Sequence, residues 1–164
     1  RISPEIFPMV ELGHIPFMGQ WRGKQVMLLE LPHSHVPPGA DKLVQWLLDR
    51  GIQPMIAHPE RNKDVMRSLD KIQAFVELGC LFQVTAMSVA GRFGEGAQRR
   101  AQELLEMGVV TILASDAHNV KSRPPELEAG RSAAAGIVGE EESWRLVKHR
   151  PLEIVATLFA AGGT

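Results

Sequence analysis

The stretch Ile56-Ala57-His58-Pro59-Glu60-Arg61-Asn62 decides how the rest of the chain is interpreted. An apolar run stops at a histidine, and a proline, two charged residues and an asparagine follow it. A strand that is buried on both faces has this pattern where its carboxyl end emerges into a loop. We therefore expect a buried strand to end at His58, with His58 as a candidate metal ligand and Arg61 as a candidate phosphate-binding residue.

Apolar runs and amphipathic stretches alternate on both sides of this strand. The pattern predicts strands at 25–31, 52–57, 81–85 and 109–114, and helices between them at 41–50, 68–78 and 97–107. Each of these predicted helices is followed by a glycine, a frequent residue after the last helical turn. The alternation indicates βαβ units on a parallel sheet, in either a barrel or a doubly wound sheet.

The remaining segments are predicted as helices and irregular chain. A short helix is expected at 3–12, an irregular or weakly extended segment at 15–20, and a turn at 21–24. Loops are expected at 32–39 and 87–96, and helices at 126–138, 140–148 and 151–161. The predicted fold class is therefore α/β with a helical C-terminus, as a single domain over residues 1–164.

The overall composition narrows the classes of function. The chain has 164 residues, of which 45% are hydrophobic and 23% charged, as in ordinary globular proteins. A formal net charge of −1 argues against a nucleic-acid-binding surface, and no apolar run reaches the roughly 18 residues of a membrane span. The single cysteine, Cys80, excludes an internal disulfide and favours a reducing cytoplasm.

Polar residues mark the carboxyl ends of the predicted strands. Glu30, His58, Thr85 and Asp116 recur about every 30 residues, the usual length of one βαβ unit. Because the carboxyl ends of parallel strands meet at one edge, we expect Glu30, His58 and Asp116 to be neighbours, with His118 beside them. Two carboxylates and two imidazoles suit a divalent cation such as Mn²⁺, Fe²⁺ or Zn²⁺.

Two arginines follow these candidate ligands. Arg61 lies shortly after His58, and Arg123 lies shortly after the Asp-x-His segment that begins at Asp116. A guanidinium group matches the geometry of a phosphate, so both arginines are candidates for binding an anion. Each candidate also has a structural explanation. The two arginines could form surface ion pairs, and a lone histidine at a strand end, such as His58, is more often structural. Asp116 taken alone could cap a helix.

Other signals in the sequence are weaker. His33 and His35 lie in a proline-rich loop and are less favoured as ligands. Cys80 is followed six positions later by Ala86 rather than the arginine of a cysteine-dependent phosphatase, so it is interpreted as a core residue. The glycine-bearing loop at 91–96 could bind an anion at the start of a helix, although a flexible connection is favoured. The sequence contains no dinucleotide-binding motif, no Walker A motif and no Gly-x-Ser-x-Gly motif.

Several motifs occur in the order seen in one known family. They are Leu29-Glu30-Leu31-Pro32, the stretch 56–62, Gln83-Val84-Thr85-Ala86 with Gly91-Arg92-Phe93-Gly94, and Ala114-Ser115-Asp116-Ala117-His118-Asn119 with Arg123-Pro124. From Arg1 to about Glu128, the chain resembles the bacterial PHP-type (polymerase and histidinol phosphatase) tyrosine phosphatases of capsule and exopolysaccharide gene clusters.

The resemblance implies a fold, a metal centre and a reaction. The fold would be a distorted (βα)7 barrel of parallel strands around a cluster of metal ions, with Mn²⁺ as the first expectation. The implied metal ligands are Glu30, His58, Asp116 and His118, and the implied phosphate-binding residues are Arg61 and Arg123. Metal-activated hydroxide would attack phosphotyrosine on the tail of a polysaccharide-assembly kinase, without a phosphoenzyme.

The chain departs from this family at its beginning. The family has an opening His-x-His motif, further ligands and a glutamate ahead of the segment that aligns with Arg1, and this sequence does not begin with them. We therefore expect a partial barrel that lacks its N-terminal strands, binds metal weakly and turns over little substrate. Two other functions stay open: a PHP phosphoesterase for a small ester such as histidinol phosphate, and a non-catalytic PHP-like module. Homo-oligomer formation also stays open.

Overall fold

The computed structural model describes residues 18–121 and 123–160. Its strands are β1 (Gly19–Trp21), β2 (Lys24–Leu29), β3 (Ile52–Ala57), β4 (Leu81–Thr85) and β5 (Ile112–Ala114). Its helices are α1 (Ala40–Leu48), α2 (Lys63–Arg67), α3 (Asp70–Glu77), α4 (Ala86–Val89), α5 (Glu95–Glu106), α6 (Glu128–Val138), α7 (Glu140–Trp144) and α8 (Arg150–Ala160). A 3₁₀ turn covers Pro59–Arg61, and a π-helical turn covers Arg145–His149. The helix predicted at 3–12 lies outside the described residues.

The described strands form one sheet in the order β1-β2-β3-β4-β5. The last four are parallel neighbours, as the βαβ pattern predicts, whereas β1 pairs with β2 in the antiparallel direction. The expectation of parallel strands throughout is therefore wrong at this edge, and the sheet is mixed. Strand order follows chain order without the reversal that defines a doubly wound sheet. The described sheet is thus a curled half-barrel.

A two-residue turn explains the antiparallel edge. Arg22 and Gly23 both have left-handed backbones, with φ of 50° and 79°. Two such residues in succession make the tight turn whose twist matches that of antiparallel strands. The residues of β1 contain no apolar run, so the sequence pattern indicated only an irregular or weakly extended segment at 15–20 and a turn at 21–24. In the structure, Trp21 pairs with Lys24 across that turn as the last pair of a short hairpin.

Side chains pack against both faces of the sheet. The larger core contains Leu29, Ile56 and Phe82, which are almost inaccessible to solvent, and the helices between the strands pack on it. In a second, smaller core, Ile154 of α8 packs with Met55 of β3. All residues of β3 are buried, which explains why the segment before His58 is an almost continuous apolar run.

Two short helices were not expected from the sequence pattern. α2 lies between β3 and α3, and α4 begins the segment that was predicted as a loop at 87–96. They have five and four residues, too few for an amphipathic period to show. β5 is shorter than the predicted strand at 109–114.

The remaining predicted helices are found, and their described ends lie within two residues of the predicted ones. The predicted end at 161 lies outside the described residues. The helix predicted at 140–148 is α7 continued by the π-helical turn. No described helix combines the length and the apolar character that a membrane span requires.

Candidate metal and phosphate site

The residues expected at the strand ends lie there in the structure. Glu30 directly follows β2, His58 directly follows β3, and Asp116 lies two residues after β5. Because these strands are parallel, the three residues share one edge of the sheet. The strand-end site comprises Glu30, His33, His58, Arg61, Asp116, His118 and Arg123.

A carboxylate and two imidazoles form one part of this site. Oε1 of Glu30 lies 3.2 Å from Nε2 of His58 and 3.9 Å from Nε2 of His33. The rings of His33 and His58 stack, with centroids 5.2 Å apart and planes inclined by 9°. From the sequence, His33 was less favoured as a metal ligand, yet the structure places it beside Glu30 and His58. Its position three residues after Glu30 was the sequence signal that could have indicated this. His35 is exposed and contacts the hydroxyl of Ser34 instead.

His58 has an unusual backbone conformation and a dry environment. Its φ is 33°, and its backbone N–H donates to the carbonyl of Gln83 at 2.7 Å. Left-handed conformations of this kind are strained and cluster at functional sites. The side chain is only 5% exposed, and burial, reinforced by the Arg61 guanidinium, lowers the pKa of His58 to about 4. The imidazole is therefore neutral near pH 7, which is the form that binds a metal.

Asp116 connects the two arginines. Its Oδ2 accepts a hydrogen bond from Nη1 of Arg61 at 2.6 Å and also pairs with Nη2 of Arg123. The same Nη2 donates to the backbone carbonyl of Asp116 at 3.1 Å. Asp116 also has a left-handed backbone, with φ of 48°. The arginines therefore do form ion pairs, but with side chains 13% and 27% exposed these are not the surface ion pairs of the alternative interpretation. Their partner is a predicted metal ligand rather than a helix cap.

Phe93 packs against both guanidinium groups. Cζ of Arg61 lies 4.4 Å from the ring centroid, and Cζ of Arg123 lies 5.8 Å from it. Nε of Arg123 is buried and has no hydrogen-bond partner among the described residues. A buried cationic donor without an acceptor is costly, and a bound anion would supply the acceptor. From the sequence, Phe93 was recognised only as part of the motif Gly91-Arg92-Phe93-Gly94. An aromatic residue next to glycine in a loop was the signal that could have indicated its role in the site.

His118 lies beside Asp116, as the Asp-x-His spacing predicts. Its Nδ1 is 2.8 Å from the backbone carbonyl of Asp116 and 3.9 Å from Oδ1, and its side chain is exposed. Glu30 and His58 form a second group on the same edge. In residues 18–121 and 123–160, no three His, Cys, Asp or Glu side chains are arranged to hold a metal ion. Carboxylate and neutral imidazole donors suit a divalent cation, but the described ones do not complete a coordination shell.

Glu60 lies beneath the strand-end site rather than on its rim. It stands between His58 and Arg61 in the sequence, but its side chain is 0% exposed. Oε1 accepts hydrogen bonds from the backbone N–H of Thr85 at 3.0 Å and from the hydroxyl of Ser88 at 2.8 Å. Burial raises the pKa of Glu60 to about 7. Glu60 therefore links the loop after β3 to the end of β4 and to α4.

Asn62 holds the loop that carries His33. Its Oδ1 accepts from two backbone N–H groups in the first turn of α2, at 2.9 and 3.2 Å. Its Nδ2 donates to the carbonyls of Pro32 and His35, at 2.7 and 2.8 Å, on either side of His33. One buried amide thus caps a helix and keeps His33 close to His58.

A family model decides the affiliation of the chain. The model described as capsular polysaccharide synthesis, CpsB/CapC, matches residues 5–156. The chain belongs to the CpsB/CapC family. This membership confirms the resemblance to capsule-synthesis proteins that the sequence motifs indicate.

Two relatives of this CpsB/CapC chain are named tyrosine-protein phosphatases. YwqE of Bacillus subtilis (strain 168) is 40% identical over 97 residues, which are 59% of this chain and 38% of YwqE. CpsB of Streptococcus pneumoniae is 31% identical over 114 residues, which are 66% of this chain and 47% of CpsB. The match to this CpsB/CapC chain thus spans less than half the length of either relative.

A solved structure shares the fold of the CpsB/CapC chain. It comes from the crystal structures of YwqE from B. subtilis and CpsB from S. pneumoniae, described as unique metal-dependent tyrosine phosphatases. The TM-score is 0.73 at 33% sequence identity, over 80% of this chain and 53% of that chain. The α/β half-barrel is therefore an arrangement that metal-dependent tyrosine phosphatases possess.

Proposed function

We propose that this chain supplies the phosphate-binding residues and part of the metal ligands of a metal-dependent phosphatase that hydrolyses phosphotyrosine. The observation that carries the proposal is the packing of Arg61 and Arg123 against Phe93, on the sheet edge that also holds the Glu30–His58 pair. The phosphatase names of YwqE and CpsB support the same reaction.

The arginines bind the substrate in this proposal. Arg61 and Arg123 donate to the phosphate oxygens and stabilise the negative charge of the transferring group. Asp116 keeps both guanidinium groups on one side of the site through its ion pairs. Nε of Arg123, buried and without a hydrogen-bond partner in the part of the chain that the structure describes, supports an anion as their ligand.

The strand-end carboxylates and imidazoles hold the metal. The proposed ligands are Glu30, His58, Asp116 and His118, with Mn²⁺ as the first candidate and Fe or Zn as alternatives. His33 joins them because of its contact with Glu30. When bound by these residues, a divalent metal would lower the pKa of a coordinated water molecule so that it could act as the nucleophile. Cys80 is buried among core residues, so no thiol is available to form a phosphoenzyme among the described residues.

The biological context is also a proposal. We take the substrate to be phosphotyrosine on a kinase of polysaccharide assembly, and the result to be control of capsule or exopolysaccharide synthesis. The family description, capsular polysaccharide synthesis, supports this context. A cytoplasmic location agrees with a single cysteine, and a net charge of −1 gives no support to a nucleic-acid partner. A mass measurement in solution would decide whether the chain forms homo-oligomers.

Phosphate release tests the proposed reaction. The complete gene product and this chain are assayed in parallel with Mn²⁺ and a phosphotyrosine peptide, with and without a chelator. We expect chelator-sensitive release by the complete product. This chain is expected to release little phosphate, because its described residues supply only part of a metal shell. Turnover by this chain at rates typical of enzymes would contradict the expectation that its metal-ligand set is incomplete.

Two comparisons separate the alternative functions. If histidinol phosphate gives a higher kcat/KM than the phosphotyrosine peptide, the protein is a small-ester phosphoesterase. If the complete product releases no phosphate from any of these substrates with Mn²⁺, Fe²⁺ or Zn²⁺, it is a non-catalytic module and the proposed phosphatase function is wrong.

A further inference from the structure

A cleft of about 270 Å³ opens beside the strand-end site. It is lined by His33, Arg61, Met66, Phe93 and Ala97, and is called the Phe93 cleft below. Three of its residues are apolar, and Arg61 adds a cation that also contacts Asp116. The cleft therefore combines an apolar wall with a positively charged edge. Phe93 already packs against the two arginines, but phosphate binding alone gives Met66 and Ala97 no role.

We propose that the Phe93 cleft receives the phenyl ring of phosphotyrosine, and that Met66, Phe93 and Ala97 determine specificity for aryl phosphates. This inference rests on the proposed phosphatase function and deepens it. It names the residues that select a phosphorylated tyrosine over a phosphorylated serine or another alkyl phosphate.

The size of the cleft agrees with this ligand. In another protein, an apolar cavity of about 150 Å³ holds a benzene molecule. The Phe93 cleft, at about 270 Å³, has room for a phenyl ring with space left for the atoms that join it to the phosphate. A serine side chain has only one methylene group in the same position, so it would leave most of the apolar wall in contact with water.

The placement of charge agrees with an aryl phosphate as well. In phosphotyrosine one oxygen joins the ring to a dianion, so the apolar and the charged contacts must be adjacent. Arg61 provides this junction, because it lines the cleft while its Cζ lies 4.4 Å from the Phe93 ring centroid. The Arg61 side chain is 13% exposed, so solvent screens its charge less than at a surface.

Backbone geometry and hydrogen bonds fix the residues that line the Phe93 cleft. Gly91 and Gly94 flank the turn of Phe93 with φ of 84° and 88°, which favours glycine at both positions. Nε and Nη2 of Arg100 donate to the carbonyl of Met66 at 3.1 and 3.0 Å. These bonds join the end of α2 to α5, the helix that carries Ala97. A cleft organised in advance loses little entropy when its ligand binds.

Methionine methyl NMR tests where the ring binds, without metal or turnover. This chain, labelled with ¹³C at the methionine methyl groups, is titrated with phenylphosphonate and separately with methylphosphonate, which carries the same phosphonate group without a ring. We expect a ring-current shift of the Met66 signal with phenylphosphonate only. Met107, an exposed residue just after α5, is expected to stay unchanged. A Met66 signal that does not move with phenylphosphonate, or moves equally with both ligands, would overturn the assignment.

Inhibition of the complete gene product provides the second test. Met66→Ala and Ala97→Leu, which enlarge and fill the cleft, are expected to raise the ratio of Ki for phenylphosphonate to Ki for methylphosphonate at least fivefold. Met107→Ala is the matched control and should leave the ratio unchanged. If the variants turn over phosphotyrosine peptide but keep the ratio of the unsubstituted protein, the specificity role is wrong. Absence of turnover in the unsubstituted protein would instead contradict the proposed function.

Discussion

Arg61 and Asp116 form an ion pair with 2.6 Å between Nη1 and Oδ2, although they lie 55 residues apart in the chain. The pair joins the loop after β3 to the loop after β5 and so spans the position of β4. The side chains are 13% and 18% exposed, so the pair is shielded more than an ordinary surface ion pair. The proposed phosphate site therefore depends on a contact between two separate βα units.

Replacement of Arg61 is expected to weaken phosphate binding strongly. We expect Arg61→Ala to lower kcat/KM of the complete gene product for a phosphotyrosine peptide by about 10- to 100-fold, since a charged hydrogen bond contributes roughly 1.5–3 kcal/mol. Arg61→Lys is expected to recover little of this loss, because an ammonium group lacks the planar fork. Arg67→Ala is the control, since the Arg67 side chain is 74% exposed. Equal losses from Arg61→Ala and Arg67→Ala would contradict the placement of the site.

Removal of the Asn62 side chain is expected to destabilise the chain. The change Asn62→Ala removes a helix cap and two donors to loop carbonyls. We expect a loss of about 2–4 kcal/mol in the free energy of unfolding, from the cap and the buried carbonyls together. Urea unfolding measures the loss. Ser68→Ala, which removes an exposed bond to the backbone of Asp70, should cost at most about 1 kcal/mol. Similar losses for both variants would show that the loop contacts of Asn62 contribute nothing.

Two glycines of α6 are expected to respond in opposite directions to alanine. A Cβ atom on Gly130 would lie 2.2 Å from the backbone oxygen of Ala86, so α4 and α6 would have to separate. Gly130→Ala is expected to lower the free energy of unfolding by about 2 kcal/mol or more, as overpacking does. A Cβ atom on Gly136 would meet nothing within 4 Å. Gly136→Ala is therefore expected to raise the free energy of unfolding by about 0.5–1 kcal/mol, because alanine favours a helix. Thermal and urea unfolding compare the two variants, and a stable Gly130→Ala protein would contradict the α4–α6 contact.

The single cysteine is expected to be unreactive in the folded chain. Burial raises the pKa of Cys80 to about 12 from a starting value of 9.0. The thiolate is the reactive form, so alkylation by iodoacetamide at pH 8 is expected to be slow until urea unfolds the chain.

The raised pKa of Cys80 also makes stability depend on pH. The folded state keeps the thiol proton of Cys80 over a pH range in which the unfolded state releases it. Stability from Cys80 is therefore present below about pH 9 and declines as the pH rises toward about 12. Cys80→Ala should make unfolding less sensitive to alkaline pH, and equal alkylation rates with and without urea would contradict the burial.

Some elements could be predicted from the sequence because their signals are local. The apolar run before His58, the helical spacing of α1, α3 and α5, and the glycines that follow them all depend on neighbours within a few residues. β1 could not be predicted this way, because its three residues have no apolar pattern and become a strand only by pairing with β2. α2 and α4 escaped prediction because each is shorter than the period that would reveal it.

The site divides in the same manner. Glu30, His58 and Asp116 could be placed on one edge because each follows an apolar strand. The role of Phe93 against two arginines, the position of His33 beside His58 and the burial of Glu60 all depend on contacts between distant segments. The metal ligands, the single domain over residues 1–164 and the kinase substrate stay predictions.

By itself, the sequence determined an α/β chain with parallel strands, polar residues at their carboxyl ends, and the motifs of the capsule-synthesis phosphatases. Local periodicity and residue type contain the strands and their polar ends, whereas the motifs are known from the resemblance to that family. Only the tertiary structure decided that Asp116 pairs with Arg61 and Arg123, that Phe93 packs against both arginines, and that a cleft opens beside them. These contacts are set by strand register and by the packing of loops from different βα units, which no local pattern specifies.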